Sequence, residues 1–438
     1  MIKMDKRIRF EGVSGSVCAV ESKSDAHRAL ICAALSEGET EIGIEALNDD
    51  IIATAECLSA LGATVHRTQN GYLVRGRASG GGSLWCGESG STVRFLIPVA
   101  AALGKETSFS GGGKLPTRPM LPLTQELRNK GCEVDADLLP LTVTGKLFGG
   151  RLVLPGNVSS QFVSGLLMAL PLTGEQSEIL MSSPLQSELY ADMTVRTLER
   201  FGVRWRKLSA AESDGYHGGY RLEGEQSGSV CSVGCKLIYD TYKTGGRYTV
   251  EGDWSGMSFF IALAALCGEI TVYGLDEGSL QPDKAIAEIA KKAGAEVSFE
   301  DGCLTVKRGE IRPFTVDVSQ FPDIFPILAV LACGARGESL LCNAGRLRIK
   351  ESDRIETTAS MIRALGGEVE TGDDYMRIFG TGRLRGGEVD GAGDHRIVMS
   401  AAVAACLCDG EVIIHGAEAV NKSFPTFFEA LESVCASE

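Results

Sequence analysis

The stretch RLRIKESDRIE, Arg346 to Glu356, places seven charged side chains in eleven positions. Weak ion pairs along a solvated helix face would be the bland explanation for such a run. The pattern around Asp353 argues for something else, because Asp353 followed three residues later by Glu356 reads as a capping box ahead of the helix IETTASMIRAL. Lys350 and Glu351 then sit in the approach to that helix, with Arg354 in its first turn. A helix N-terminus already offers unpaired N–H groups and the positive end of a dipole, so cations added there point to bound anions. A carboxylate beside them could move a proton.

The same grammar recurs ahead of other apolar helices, in KSDAHR (Lys23 to Arg28), ESGSTVR (Glu88 to Arg94), SSQ (Ser159 to Gln161), DWSGMS (Asp253 to Ser258), FPDIF (Phe321 to Phe325) and GDHR (Gly393 to Arg396). Ser and Asp are good N-caps, each worth about 1 kcal/mol of helix stability. Capping does not explain Lys23, Arg28, Arg94 and Arg396, read here as first-turn cations that the dipole disfavours. Anionic ligands would reverse that cost. Arg grips carboxylate and phosphate bidentately and Lys supplies a mobile point charge, so the mixture implies at least two anionic groups. Arg118 in LPTRPM and Lys422 in VNKSFP add cations beside prolines, and Asp323 and Glu351 add carboxylates able to shuttle protons.

The elements that must position these residues repeat. An Ala-rich apolar helix ending near Gly and running into a strand occurs six times, from RALICAALSEGETEIGI to RIVMSAAVAACLCDGEVIIHGA. A second, amphipathic helix follows each, as in DIIATAECLSALGATV and DKAIAEIAKKAGAEV. The period is about 70 residues, longer than an ordinary solenoid repeat. Between the third and fourth copies Trp205 to Val250 adds polar, Gly-rich sequence, so six units divide as three plus three with a boundary near Val250. SGGGSLWCG and FSGGGKLP are expected as turns between strands. Neither is a Walker loop, because Lys114 is followed by Leu115 where Ser or Thr is required.

Composition sets the outer bounds. At 438 residues the chain needs two or three domains. Its longest apolar run, near IVMSAAVAACLC, is too short for a bilayer, and MIKMDKRIRF lacks an export signal, so a cytoplasmic protein that engages no membrane is expected. The 14 cysteines follow no ligand or disulfide spacing and read as buried thiols. A net charge of −14 opposes nucleic-acid binding, although an acidic shell can hold a local basic cleft.

Taken in order, SKSDAHRAL, LNDDI, GESGSTVRFL, TRPM, SSQFVSGLLMALP, ELYADMT, VEGDWSGMS, RIKESDR, GDHRIVM and NKSFPTFFE span essentially the whole chain, and together they closely resemble the 5-enolpyruvylshikimate-3-phosphate synthase family. The resemblance implies an α/β (α+β) fold of two similar domains, each of three βαβαββ repeats, with the active-site cleft between them. Residues 1–20 and 251–438 would form one domain and 21–250 the other. It also implies transfer of the enolpyruvyl group of phosphoenolpyruvate to the 5-hydroxyl of shikimate 3-phosphate with release of phosphate. These small molecules would be the partners of a monomer, and no metal or organic cofactor is implied.

Position by position, the resemblance implies catalytic roles for Asp323, Glu351, Lys23 and His395. It implies shikimate 3-phosphate contacts by Lys23, Ser24, Arg28, Ser159, Ser160, Gln161, Ser187, Tyr190, Asp323 and Lys350. Phosphoenolpyruvate would meet Lys23, Gly90, Ser91, Arg118, Gln161, Arg354, Arg396 and Lys422. The chain departs from the family at Glu88, Ser91 and Phe95, where Asn, Thr and Pro are usual, and at Arg346, where an uncharged or acidic residue is usual. Glu88 puts an anion beside an anion pocket, where Arg94, Lys23 or Arg346 would offset it. Two other readings are a UDP-N-acetylglucosamine enolpyruvyl transferase, against which SSQ, ELYADMT and KESDR speak, and a noncatalytic phosphometabolite-binding homologue.

Overall fold

A computed structural model describes residues 4–76, 78–224, 242–243 and 246–435. Much of the added stretch before Val250 therefore lies outside the described residues, while its first part completes a sheet with strands Arg204–Leu208 and Gly219–Glu223.

Twelve α-helices occur in the described residues: α1 (Lys23–Leu35), α2 (Asp49–Ala60), α3 (Gly90–Leu103), α4 (Leu123–Asn129), α5 (Ser160–Ala169), α6 (Glu188–Arg200), α7 (Trp254–Cys267), α8 (Ala285–Ala293), α9 (Phe325–Cys333), α10 (Arg354–Ala364), α11 (His395–Ala404) and α12 (Phe427–Val434). The odd-numbered ones are buried nearly all round, as the largely apolar sequences beyond their first turns require. The even-numbered ones are shorter or amphipathic and keep a polar face.

The chain separates into two compact units, Lys23–Val250 and Met1–Ser22 with Glu251–Glu438. The repeat is seen whole in Gly82–Trp85, α3, Thr107–Ser110, α4, Cys132–Val134 and Leu141–Gly145, a βαβαββ run whose sheet joins one parallel and two antiparallel pairings. Two repeats take a strand from elsewhere in the chain. Strand Arg247–Thr249 pairs in parallel with Glu39–Gly43, and strand Val13–Cys18 pairs in parallel with Gly268–Tyr273. Strand Asp5–Ile8 closes the last sheet against Val412–His415. Each of these strands thus belongs to the same unit as the sheet it joins, although it lies far from that sheet in sequence.

In the C-terminal unit the core includes Phe259, Phe260, Phe424 and Phe427, whose rings meet at 5.7–6.2 Å. Each contributes about 1.5–3 kcal/mol by burial. At the C-terminal ends of α7, α9 and α11 a pocket of about 840 Å³ is lined by Cys267, Gly334 and Cys406 together with Arg308, Arg312, Arg336 and Arg383. Cations are favoured there, where helix dipoles end negative.

Two sequence expectations shift. Lys23, Arg354 and Arg396 do lie in first turns, but α1 begins at Lys23 and α3 at Gly90, so Arg28 and Arg94 fall one turn later. Helical side chains lean back toward the N-terminus, so the charges still reach it. FSGGGKLP does not join two strands; it leaves strand Thr107–Ser110 and enters a 3-10 turn at Leu115–Thr117 leading to α4. No helix among the described residues is long and apolar enough to cross a membrane.

Candidate active site

In the C-terminal unit the functional residues gather at the starts of α7, α9, α10 and α11. Asp253, Asp353 and Asp394 cap three of these helices by accepting backbone N–H bonds. Asp323 rides in the 3-10 turn Pro322–Ile324 that opens α9. The hub is Arg354, whose side chain is 1% exposed. Its Nε donates to Asp394 Oδ2 at 2.9 Å, its Nη1 to Asp323 Oδ1 at 2.7 Å and its Nη2 to Glu351 Oε2 at 2.6 Å. One guanidinium therefore holds both carboxylates expected to move protons, and most of its five N–H donors are already engaged.

Arg396 approaches Asp323 from another side. Its Nη1 donates to the Asp323 carbonyl at 2.9 Å, its Nη2 to Ser255 Oγ at 2.8 Å, and Nη2 stands 3.2 Å from Asp323 Oδ2. Lys350 Nζ lies 3.5 Å from Asp323 Oδ1. Burial works against an ionised Asp323, yet Arg396, Lys350 and Arg354 overrule it and hold the carboxyl well below its usual range. Burial pushes the Lys350 ammonium down to about 8, helped by Arg354 and Arg346 and opposed by Asp323 and Glu351. His395 is 2% exposed, its Nδ1 4.0 Å from Asp394 Oδ1. Lys422 donates to the Gly393 carbonyl at 2.7 Å, one residue before Asp394. Arg346 donates to the Ser319 carbonyl at 2.6 Å.

The N-terminal unit brings together two groups at the starts of α1, α3, α5 and α6. Gln161 donates to Ser91 Oγ at 2.9 Å and accepts from Arg94 Nη1 at 2.7 Å. Ser159 caps α5 through the Gln161 N–H, with Ser160 buried just inside the helix. Arg118 packs against Gly90, and Glu88 against Gly113. Arg28 is 2% exposed, with donors reaching Thr194 Oγ1, Ser164 Oγ and the carbonyls of Ser24 and Tyr190. Ser187, at the start of α6, holds φ 55°, a left-handed conformation that only a constrained non-glycine residue keeps. Lys23 Nζ donates to Asp50 Oδ2 at 2.8 Å. Beneath them a buried hydroxyl chain runs from His27 Nδ1 through Thr54 and Thr92 to Ser89, the cap of α3.

Asp50, Asp394, Ser255 and Asp283 carry no role in the sequence reading. LNDDI and GDHR contain the first two in plain view, but helix capping explains Asp394 and nothing in the sequence puts Asp50 against Lys23. Among the described residues no three His, Cys, Asp or Glu side chains are placed to hold a metal ion.

A repeat-built α/β protein that collects arginines, lysines and carboxylates at helix starts is of the class that reacts small anionic molecules. The profile of the family described as EPSP synthase (3-phosphoshikimate 1-carboxyvinyltransferase) matches residues 9–431. The 3-phosphoshikimate 1-carboxyvinyltransferase of Clostridium kluyveri is 38% identical over 427 residues, covering 96% of this chain and 95% of that protein. The protein of the same name from Methanocorpusculum labreanum is 35% identical over 429 residues, covering 96% of each. An EPSP synthase structure from Acinetobacter baumannii superposes with a TM-score of 0.77 at 25% identity, over 99% of this chain and 98% of that one. The chain belongs to the EPSP synthase family, which favours the shikimate branch over the UDP-N-acetylglucosamine one.

Proposed function

We propose that this chain transfers the 1-carboxyvinyl group of phosphoenolpyruvate to the 5-hydroxyl of shikimate 3-phosphate. The observation that carries the assignment of roles is the Arg354 guanidinium joining Asp323 and Glu351, with Arg396 and Lys350 alongside.

Arg354, Arg396, Lys422 and Arg118, with Gly90, Ser91 and Gln161, hold phosphoenolpyruvate. Ser24, Arg28, Ser159, Ser160, Gln161, Ser187, Tyr190 and Lys350 hold shikimate 3-phosphate, and Lys23 meets both. Asp323, kept ionised by its cations, takes the hydroxyl proton as the oxygen bonds to the substituted enol carbon. Glu351, entering the step protonated on the oxygen that does not accept from Arg354, delivers that proton to the methylene carbon, so the double bond becomes a methyl group on a tetrahedral adduct. The Glu351 carboxylate left behind takes a methyl proton back, restoring the double bond as the carbon–oxygen bond to phosphate breaks, and Asp323 passes the hydroxyl proton to the departing phosphate. A positioned acid or base contributes roughly 10²- to 10⁴-fold. The arginines, Lys23 and His395 stabilise charge on the adduct and the departing phosphate.

Phosphorus NMR of the protein with both substrates tests the reading. Inorganic phosphate and the enol ether product must grow together, and must cease to do so in Lys23→Met. A folded wild-type protein that leaves the spectrum unchanged would refute it.

A further inference from the structure

Close to Arg396, linked to it through Ser255, lies a carboxylate that the reaction scheme does not use. Asp283 is 1% exposed and sits in the 3-10 turn Pro282–Lys284 ahead of α8. Ser255 Oγ accepts from Arg396 Nη2 at 2.8 Å. That leaves the hydroxyl proton of Ser255 to go to Asp283 Oδ2, with which it makes a short hydrogen bond. The turn is fastened to α7 independently, since Gln281 Oε1 accepts the Trp254 N–H at 3.0 Å and Gln281 Nε2 donates to the Gly252 carbonyl at 2.7 Å. Asp283 therefore has a fixed anchor from which to hold Ser255, and Ser255 a fixed direction from which to hold Arg396.

A buried carboxylate is expensive to keep where an apolar residue would pack, and a helix start already capped by Asp253 needs no second one. Burial, with Asp323 adding to it, pushes the Asp283 carboxyl up to about 6, against the pull of Arg396, the Ser255 hydroxyl and Lys350. Asp283 and Asp323 thus flank one guanidinium, one bound through a hydroxyl and the other directly.

We propose that Asp283 is a positioning residue for phosphoenolpyruvate binding: through the Ser255 hydroxyl it fixes the Arg396 guanidinium in the orientation that receives the anion. This rests on the reading that Arg396 holds phosphoenolpyruvate. Replacing Ser255 or Asp283 leaves the guanidinium its contacts with Asp323 but removes or loosens the one that Nη2 makes with Ser255, so affinity for that one substrate falls and the chemistry of bound substrates changes less.

The test is steady-state kinetics of Ser255→Ala, Asp283→Leu, Asp283→Asn, the double variant Ser255→Ala/Asp283→Leu and Arg396→Lys, each checked for folding by circular dichroism. Ser255→Ala and Asp283→Leu should raise KM for phosphoenolpyruvate about tenfold, the effect of one ordinary hydrogen bond, with KM for shikimate 3-phosphate little changed. Asp283→Asn, which keeps an acceptor for the hydroxyl, should recover most of that loss. The double variant should be no worse than Ser255→Ala alone. An unchanged phosphoenolpyruvate KM in Ser255→Ala, which does not depend on how Asp283→Leu folds, overturns the inference, as does an Asp283→Asn as impaired as the leucine variant. An unchanged KM in Arg396→Lys would instead remove the underlying assignment of Arg396.

Discussion

The Arg118 guanidinium rests against the α-carbon of Gly90: a β-carbon there would lie 2.8 Å from Nη1 and 3.0 Å from Cζ and Nη2. Gly90 is the first residue of α3, so the arginine is held against a helix start that already favours anions. The obstacle to any side chain is the far end of a flexible arginine, which can move without disturbing the core. Gly90→Ala should therefore fold normally yet displace Arg118, raising KM for phosphoenolpyruvate about tenfold while kcat changes less. Equal losses in both parameters, or none, would show that the close approach does not govern that cation.

Asp394 and Arg354 form an ion pair whose side chains are 0% and 1% exposed. Asn is as good an N-cap as Asp, so Asp394→Asn keeps the start of α11 and removes only the charge. The arginine then keeps Asp323 and Glu351 but loses its most buried partner. Breaking such a pair from one side costs about 3–5 kcal/mol, and urea unfolding should show it. A loss under about 1 kcal/mol would mean that the other two carboxylates suffice.

The depressed Lys350 ammonium has a direct kinetic consequence. As pH rises through about 8 its charge disappears, and with it a contact assigned to shikimate 3-phosphate. KM for that substrate should rise several-fold between about pH 7 and 9, a limb that Lys350→Arg should lose because guanidinium stays charged. Identical pH profiles in the two proteins would detach Lys350 from the substrate.

His27 is fully buried among polar neighbours, and burial, with Lys23 and Arg28 nearby, lowers its pKa well below the ordinary 6.5. The folded protein thus keeps a neutral imidazole while the unfolded chain takes up a proton as pH falls below 6.5. Stability is fully present above that value and declines on acidification until the folded pKa is reached. Thermal unfolding of wild type and His27→Gln from pH 7.5 to 5 should give converging curves, with the steeper decline in wild type. Parallel curves would contradict the burial of a neutral ring.

Helix starts were the most legible feature of the sequence because capping is local. Ser89, Ser159, Asp253, Asp353 and Asp394 all cap the helices that their positions announce. The six repeats were legible for a similar reason, since a buried helix must be apolar all round wherever it occurs. What stayed hidden depends on partners distant in the chain. Asp50 meets Lys23 across 27 residues, and Ser255 meets Arg396 across 141. The borrowing of strand Arg247–Thr249 by the sheet containing Glu39–Gly43 is a pairing that no local pattern encodes. Arg28 shows the limit of a charge-based reading: its position looks like an exposed anion grip, yet much of its guanidinium is turned to Ser24, Ser164, Tyr190 and Thr194.

The central claim is that Asp323 and Glu351 move the protons of the transfer. Its most direct test is single-turnover phosphate release by Asp323→Asn and Glu351→Gln, alongside binding of both substrates by calorimetry. Each variant should bind them within a few-fold of wild type and turn over roughly 10²- to 10⁴-fold more slowly. Near-normal turnover in both variants would contradict the claim and leave the two carboxylates as no more than counter-ions to Arg354.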